Sequence, residues 1–230
     1  MEINKIYNED CLEGIKRISD GSIDLIVTDP PYCVGVTSNG WKGTYLDNNM
    51  IRPFFNQLVR EWERVLKEES EIYINTDWRS YPFLYPIVQK YFTMRNLIVW
   101  DYERLKAGNF YRYSYELIIY ATKGGRKRRF YAGERDVWRI KPINYTNVKT
   151  KLHQVQKPVE LIEKMITNSS EERDTVLDCF IGSGTTAIAC LNLNRQFVGF
   201  EIDENYYEIA NRRIEEAQKN KQSEGGLLLI

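Results

Sequence analysis

The segment Ile23-Asp-Leu-Ile-Val-Thr-Asp-Pro-Pro-Tyr32 joins a run of apolar residues to a rigid proline turn. The run from Ile23 to Thr28 predicts a buried strand, because short apolar runs bounded by turn residues are typical of parallel sheets. Prolines fix the backbone and push the preceding residue toward extended geometry, so Asp29 would point in a fixed direction at the strand end. The segment therefore predicts a polar site at the carboxyl edge of a sheet. A proline turn with a helix-capping aspartate is the purely structural alternative.

Short apolar runs alternate with helical patterns along the rest of the chain, which predicts an α/β fold with an open, mostly parallel sheet and helices on both faces. Spacing and composition predict further strands at 71–75, 96–100, 114–121, 175–178 and 197–201. They predict helices at 51–66, 79–90, 158–168, 184–193 and 203–219, with Pro158 as a favourable first-turn residue.

A second strand-to-turn junction lies far downstream, where Thr175 to Asp178 leads into Cys-Phe-Ile-Gly-Ser-Gly-Thr-Thr186. Glycines at such a turn admit the backbone of a cofactor, and the helix that follows offers free amide hydrogens. The next predicted strand ends in Glu201, an acid placed to hydrogen-bond a ribose diol. An ordinary turn and an exposed acid are the alternatives, since a Gly-x-Gly turn alone is weak evidence. Their combination favours a nucleotide-like cofactor.

The length and composition limit the architecture. With 230 residues, 43% of them hydrophobic, the chain can bury one substantial core, and no apolar run approaches the roughly 20 residues of a membrane span. Four scattered cysteines form no Cys-x-x-Cys pair, so neither a zinc site nor a disulfide framework is indicated. We expect one compact, cytoplasmic domain without a metal. Its expected parts are a catalytic half (1–122), a basic insertion (123–151), a cofactor-binding half (152–221) and a flexible tail (222–230).

The formal net charge of zero hides a strong local imbalance. Between Lys123 and Lys151 there are ten basic residues and two acidic ones, a local charge of +8, so the rest of the chain carries −8. Phe130, Tyr131, Trp138 and Tyr145 lie among these cations. Such a segment suits contact with phosphates and stacking on bases, although a solvated arginine-rich face is the alternative.

The chemistry of the proline turn suits an amine substrate. An exocyclic amine of adenine or cytosine is a poor nucleophile, because its lone pair is delocalised into the ring. Two fixed acceptors, the Asp29 carboxylate and the Pro30 carbonyl, can bind its hydrogens and favour a pyramidal nitrogen. Tyr32 can stack on the base, which must first leave the duplex. Together with a nucleotide-like cofactor, this arrangement predicts methyl transfer to a nucleobase amine.

These segments resemble the S-adenosylmethionine-dependent DNA amino-methyltransferases of the beta group, in which an Asp-Pro-Pro-Tyr motif precedes a Phe-x-Gly-x-Gly motif. The resemblance covers nearly the whole chain. It implies a Rossmann-like methyltransferase sheet, mostly parallel with an antiparallel edge hairpin. It also implies S-adenosyl-L-methionine as cofactor, double-stranded DNA as partner, and methylation of the N6 amine of a flipped adenine. A homodimer, common among related enzymes, and a companion restriction endonuclease stay open.

The resemblance also implies roles for individual residues. The segment His153-Gln-Val-Gln-Lys-Pro158 resembles the one beside the methionine part of the cofactor, with Gln154 in place of the family's proline. Ser114 to Ile118 resembles the strand before the target-recognition region, which places that region at 123–151. The expected catalytic residues are Asp29, Pro30, Pro31 and Tyr32. The expected cofactor contacts are Asp10, which meets the adenine, with Cys11, Asp29, Gln156, Lys157, Pro158, Asp178, Phe180, Gly182, Ser183, Gly184, Thr185 and Glu201. The expected DNA contacts are Arg126, Lys127, Arg128, Arg129, Arg135, Arg139 and Lys141.

Motif order and residue type distinguish this chain from several related activities. In protein-glutamine and many RNA amino-methyltransferases the glycine loop comes first and an Asn-Pro-Pro-Tyr motif follows, whereas here the order is reversed and Asp precedes the two prolines. Ring-carbon methylation needs a cysteine nucleophile in a Pro-Cys dipeptide, and no Pro-Cys occurs in this sequence. Aspartate in the first motif position leans toward adenine in this family, and serine toward cytosine. N4-cytosine methylation, RNA methylation and a non-catalytic DNA-binding module stay as alternatives.

Overall fold

A computed structural model describes residues 1–31, 48–105, 110–125, 134–143 and 156–226. Within these ranges, eight strands form one sheet in the order β1-β8-β7-β2-β3-β5-β4-β6. The strands are β1 Lys5–Tyr7, β2 Ile23–Thr28, β3 Leu66–Thr76, β4 Thr93–Asp101, β5 Tyr115–Thr122, β6 Val137–Arg139, β7 Thr175–Asp178 and β8 Gln196–Phe200. The α-helices are α1 Cys11–Gly14, α2 Asn48–Val65, α3 Tyr81–Val88, α4 Val159–Ser169, α5 Thr185–Asn192 and α6 Glu204–Gly226.

The sheet is parallel except at β5. Strand β2 lies between β3 and β7 and runs parallel to both, while β5 runs antiparallel to its neighbours β3 and β4. The predicted mostly parallel α/β sheet with an antiparallel hairpin is thereby confirmed. The hairpin of β4 and β5 lies one strand inside the edge, because β6 pairs with the outer side of β4 in parallel.

Helices cover both faces of the sheet, as the sequence predicts. In β2, Ile26 packs into the cluster built on α2 and α3, whereas Leu25 and Val27 pack into the cluster beneath α4 and α5. This alternation follows from the two-residue period of a strand. Strand β2 is therefore buried on both faces, and each such apolar side chain contributes about 1.5 to 3 kcal/mol of burial energy.

Several boundaries differ from the sequence prediction. Leu66, predicted as the end of a helix, begins β3, and Pro158 is the N-cap of α4 rather than its first residue. Helix α6 continues to Gly226, into the segment predicted as a flexible tail. The sequence prediction also missed β1, α1 and β6, which are three or four residues long. Elements this short carry too little periodicity to be recognised, and β1 and β6 form through pairing with longer strands.

The basic segment 123–151 reaches both edges of the sheet. Lys123 follows β5 at the edge where the parallel strands begin, and its Nζ donates to the carbonyl oxygens of Glu63 and Leu66. Strand β6 then runs alongside β4 and brings Arg139 beside Asp101, at the edge where the parallel strands end. None of the helices in the described ranges is both long and apolar enough to cross a membrane.

Candidate active site at the carboxyl edge of the sheet

Residues far apart in sequence meet where the parallel strands end. Asp29 follows β2, Asp178 ends β7 and Glu201 follows β8. These three strands are neighbours or next neighbours in one parallel arrangement, so their carboxyl ends share an edge. Strand β5 runs the opposite way, and Glu116 near its beginning therefore reaches the same edge. The topology gathers four acidic side chains at one end of the sheet.

Lys157 connects two of these acids. Its Nζ lies 3.1 Å from Oδ2 of Asp29 and donates a short hydrogen bond to Oε2 of Glu116. The other carboxylate oxygen of Glu116 accepts from the hydroxyl of Tyr102. The Lys157 ammonium also lies 5.7 Å from the centre of the Trp100 ring. The Lys157 contact holds the Asp29 carboxylate in one orientation, and 27% of the Asp29 side chain stays exposed to solvent.

The charges in this network are strongly coupled. Burial by itself lowers the pKa of the Lys157 ammonium, but Asp29 and Glu116 outweigh burial and raise that pKa above its usual value. Burial and the neighbouring Glu116 charge raise the pKa of the Tyr102 hydroxyl. Lys157 is therefore a cation and Tyr102 a neutral hydrogen-bond donor throughout the physiological pH range. We name Asp29, Lys157, Glu116 and Tyr102 the Asp29 network.

The glycine turn lies beside this network and contacts Glu201. Gly182 and Gly184 have φ values of 54° and 83°, in the left-handed region that favours glycine. The Gly182 amide donates to Oε2 of Glu201 at 2.8 Å, and the Asp203 amide donates to Oε1 at 2.9 Å. A Cβ on Gly184 would lie 3.0 Å from the Cβ of Ala210, so this glycine also lets α5 pack against α6.

Burial makes two acids of this edge easier to protonate. The pKa of Asp178 is raised to about 7 by burial, although Thr186 Oγ1 and the Phe180 amide donate hydrogen bonds to its carboxylate. Burial also raises the pKa of Glu201, against the opposing hydrogen bonds from the Asp203 and Gly182 amides. A cation bound at this edge would favour the ionised form of both acids.

The described side chains fit a cationic, nucleoside-containing cofactor. The acids Asp29, Glu116 and Glu201 outnumber the Lys157 cation at this edge, and the excess of negative charge complements a sulfonium ion. At the end of β3, Asn75 Oδ1 and Thr76 Oγ1 are buried and have no hydrogen-bond partner within the described residues. Buried polar atoms are rarely left unsatisfied in a finished site, so these two suit a bound polar ligand.

The other predicted cofactor residues contact protein groups. Asp10 is exposed near this edge and caps α1, where its Oδ1 accepts from the Leu12 amide at 2.7 Å. Cys11 is buried and packs into the hydrophobic core, and its contact with the cofactor stays a prediction. Ser183 is buried and its carbonyl accepts from Arg213, while Thr185 is the buried first residue of α5. The Phe180 ring packs near Phe54, with ring centres 6.3 Å apart.

The remaining predicted residues divide by whether the structure describes them. Pro30 is buried and Pro31 exposed directly after Asp29, and Gln156 and Pro158 flank Lys157 at the start of α4. Arg135, Arg139 and Lys141 are exposed around β6. Tyr32, His153 and the cluster Arg126, Lys127, Arg128 and Arg129 lie outside the described residues.

Sequence reasoning missed Glu116 and Tyr102 as members of the site. Glu116 belongs to a strand that the sequence did predict. An acidic residue directly before the apolar run 117–121 could have indicated a buried, functional carboxylate. Tyr102 carries no such signal, because its meaning depends on Glu116 being its neighbour in space.

Comparison with known proteins agrees with this geometry. The family model described as DNA methylase, which covers N6 and N4 methyltransferases, matches residues 23–212. The type II methyltransferase M.HpaI of Haemophilus parainfluenzae is 32% identical over 233 residues, covering 92% of this chain and 74% of that protein. The chain belongs to the N6/N4 DNA methylase family. The DNA adenine methyltransferase YhdJ of Escherichia coli K12 is 29% identical over 248 residues, covering 94% of this chain and 84% of that protein.

A solved structure shares the fold of this DNA methylase. The crystal structure of the M1.HpyAVI complex with S-adenosylmethionine superimposes with a TM-score of 0.71 at 24% identity, covering 91% of this chain and 98% of that one. At this identity the likeness concerns the fold, and it confirms the Rossmann-like methyltransferase architecture that the sequence predicts.

Proposed function

We propose that this chain is a site-specific DNA methyltransferase that moves a methyl group from S-adenosylmethionine to the N6 amine of an adenine flipped out of duplex DNA. The observation that carries the proposal is the position of Asp29. It lies at the carboxyl edge of the sheet, held by Lys157, directly after strand β2, which pairs with the strand that leads into the glycine turn. The proposed amine acceptor and the proposed cofactor residues Glu201 and Asp178 therefore share one edge.

The residues of the site divide the work between amine and cofactor. Asp29 and the Pro30 carbonyl accept the hydrogens of the target amine, and Tyr32 stacks on the base. Lys157 and Glu116 are positioning residues, because Lys157 contacts the Asp29 carboxylate and Glu116 holds Lys157 in place. Glu201 accepts from the hydroxyls of the cofactor's ribose, through the carboxylate lone pairs that the Gly182 and Asp203 amides leave open.

The reaction needs little beyond positioning. S-adenosylmethionine, when bound, supplies an electrophilic methyl group on a positively charged sulfur. The amine nitrogen would form a bond to that carbon as the carbon–sulfur bond breaks, leaving a neutral thioether. The nitrogen would then lose one proton, either to the Asp29 carboxylate or directly to water. Holding the two reacting atoms in contact can supply roughly 7 to 11 kcal/mol of the barrier reduction. The acidic edge attracts the cationic cofactor and so contributes to its binding rather than to the rate of transfer.

Adenine is the preferred target for two reasons. Asp29 stands first in the motif, where the resemblance favours adenine, and YhdJ, a relative at 29% identity, is a DNA adenine methyltransferase. N4-cytosine methylation is the second candidate, since the family includes both and the amine chemistry is the same. A companion restriction endonuclease is supported by the type II designation of M.HpaI.

The test is product identification with an Asp29 variant as control. The purified protein is incubated with unmethylated genomic DNA and tritiated S-adenosylmethionine, and the labelled nucleoside is identified by chromatography. We expect N6-methyldeoxyadenosine from the wild type. The Asp29→Ala variant should lose at least about 1,000-fold in rate, the scale of removing a key polar group from a transition state, while calorimetry finds cofactor binding retained. Label in N4-methyldeoxycytidine would replace the adenine assignment, and a normal rate in the variant would remove Asp29 from the mechanism.

A further inference from the structure

Large aromatic side chains are exposed at the carboxyl edge of the sheet, outside the Asp29 network. Phe110 and Tyr111 expose 97% and 96% of their surface, and Trp78 exposes 53%. Tyr113 and Tyr115 are also exposed. Rings left in water to this extent add nothing to the core and mark an interaction surface. We name Trp78, Phe110, Tyr111, Tyr113 and Tyr115 the aromatic surface.

Two loops join to form this surface. Trp78 follows β3, and Tyr113 lies in the connection from β4 to β5. The guanidinium of Arg79 lies 5.8 Å from the Trp78 ring centre and 5.7 Å from the Tyr113 ring centre. Asp77 fixes Arg79, since its Oδ2 accepts from Arg79 Nε at 2.7 Å. A cation held between two rings therefore ties the loops together.

The aromatic surface borders the candidate active site. Tyr115 immediately precedes Glu116, whose carboxylate contacts Lys157. The Tyr102 amide donates to the Ser114 carbonyl at 2.8 Å, so the Asp29 network and the loop that carries the rings share a backbone contact. Exposed Arg104 and Arg112 add positive charge to the same loop.

We infer that the aromatic surface stacks on the bases that lose their neighbour when the target nucleotide leaves the duplex. This inference rests on the proposed DNA substrate and extends it to a region outside the basic segment 123–151. Extrusion of one nucleotide exposes the faces of the flanking bases, and aromatic rings stack on any base because every base has a π face. Arginine side chains beside the rings neutralise the phosphates that flank the gap. A second copy of this chain is the competing occupant.

The experiment replaces the two most exposed rings, Phe110 and Tyr111, and measures methyl transfer to two forms of DNA. The Phe110→Ala/Tyr111→Ala variant is compared with wild type for methyl transfer to a duplex and to the single strand that carries the target. We expect kcat/KM on duplex DNA to fall at least tenfold and on the single strand less than threefold, because the single strand has no stack to open. The variant Phe110→Tyr/Tyr111→Phe, which keeps both rings, should stay within twofold on both.

Three controls separate the outcomes. Calorimetry should give the same cofactor affinity for all variants, and sedimentation should give the same oligomeric state. Ile3→Ala removes an exposed apolar side chain at the start of the chain, before β1, and should leave the rates unchanged. Unchanged duplex activity in the double alanine variant, an equal loss on both DNA forms, or a change in oligomeric state would each overturn the inference. A wild type that methylates no DNA would instead refute the proposed function.

Discussion

Two lysines at opposite edges of the sheet have similar surroundings and different uses. Lys157 at the carboxyl edge exposes 7% of its side chain and lies between Asp29 and Glu116. Lys123 at the amino edge exposes 12% and lies between Glu63 and Glu68, at 3.4 and 3.1 Å. Each is a largely buried cation with two carboxylate partners.

The difference lies in what each lysine holds. Lys123 Nζ also donates to the carbonyls of Glu63 and Leu66, so it caps the end of α2 and joins it to the end of β5. Lys157 instead contacts the partly exposed Asp29, the acid that follows the proposed catalytic strand β2. A buried lysine with two carboxylate partners therefore stabilises the fold at the amino edge and orients a proposed catalytic acid at the carboxyl edge. The edges differ because the strand directions bring Asp29 and Glu116 to the carboxyl edge.

Replacement of each lysine by methionine tests this contrast most strongly. Lys157→Met leaves Asp29 and Glu116 without their cation, so we expect kcat to fall at least about 100-fold and stability to fall by about 3 to 5 kcal/mol. Lys123→Met should cost about 1 kcal/mol and leave kcat within twofold. Methyl-transfer assays at saturating cofactor and urea unfolding measure both quantities.

A milder variant keeps this comparison informative if Lys157→Met folds poorly. Glu116→Gln keeps the shape of the side chain and the Lys157 to Asp29 contact, and should lower kcat about tenfold without changing cofactor affinity. Equal losses of kcat in the Lys157 and Lys123 variants, after correction for folded protein, would show that the two edges do not differ as proposed.

Cofactor affinity should depend on Glu201 at the carboxyl edge. Glu201→Gln removes the negative charge from the side chain whose oxygens accept hydrogen bonds from the Gly182 and Asp203 amides. A hydrogen bond to a charged group contributes about 1.5 to 3 kcal/mol, and the ribose hydroxyls would lose such a bond. We expect S-adenosylmethionine to bind about 10 to 100 times more weakly by calorimetry. Glu68→Gln, at the amino edge, is the matched control and should bind normally. Unchanged affinity in the Glu201 variant would reject the ribose assignment.

The pH dependence of cofactor binding sharpens the same comparison. Burial raises the pKa of Asp178 to about 7 in the free protein, and a bound cation favours the ionised carboxylate and so lowers that pKa. Cofactor affinity should therefore rise as the pH increases through about 7, by up to about tenfold between pH 6 and 8. Asp178→Asn should bind more weakly and lose this pH dependence. A wild-type affinity that is flat over this range would place the cofactor away from Asp178.

The smallest effect concerns the cations of the basic segment. If about five of them contact phosphates, the log-log salt slope of DNA affinity should approach about −4.5. The Arg139→Ala/Lys141→Ala variant removes exposed charge near the carboxyl edge and should reduce the slope by about 1 to 2, whereas Lys123→Met should leave it unchanged. Fluorescence anisotropy at several salt concentrations measures the slopes. An equal change in both variants would mean that DNA contacts the two edges alike.

Much of the site could be predicted from local sequence. Both ends of strand β2 were predicted correctly, because a short apolar run that ends in a proline turn is typical of a buried strand. The position of Asp29 at the strand end follows from the end of that strand. Glu201 was predicted at the end of the strand that follows the glycine turn, where it would hydrogen-bond a ribose diol. The structure places its carboxylate against the Gly182 amide, and the ribose contact stays a prediction. The link from Lys157 to Asp29 could not be derived this way, because it joins residues 128 positions apart across the sheet.

The sequence alone determined the elements with strong local signals: long amphipathic helices, buried strands, and turns that proline and glycine force on the backbone. Only the tertiary structure decided which polar residues meet, since β5 must run against its neighbours before Glu116 can reach Asp29 through Lys157. It also decided that Lys123 stabilises a helix end while Arg139, in the same basic segment, lies at the opposite edge. Local patterns reflect the energy of burying one face of an element, whereas these contacts depend on strand order and direction, which pairing between distant segments sets.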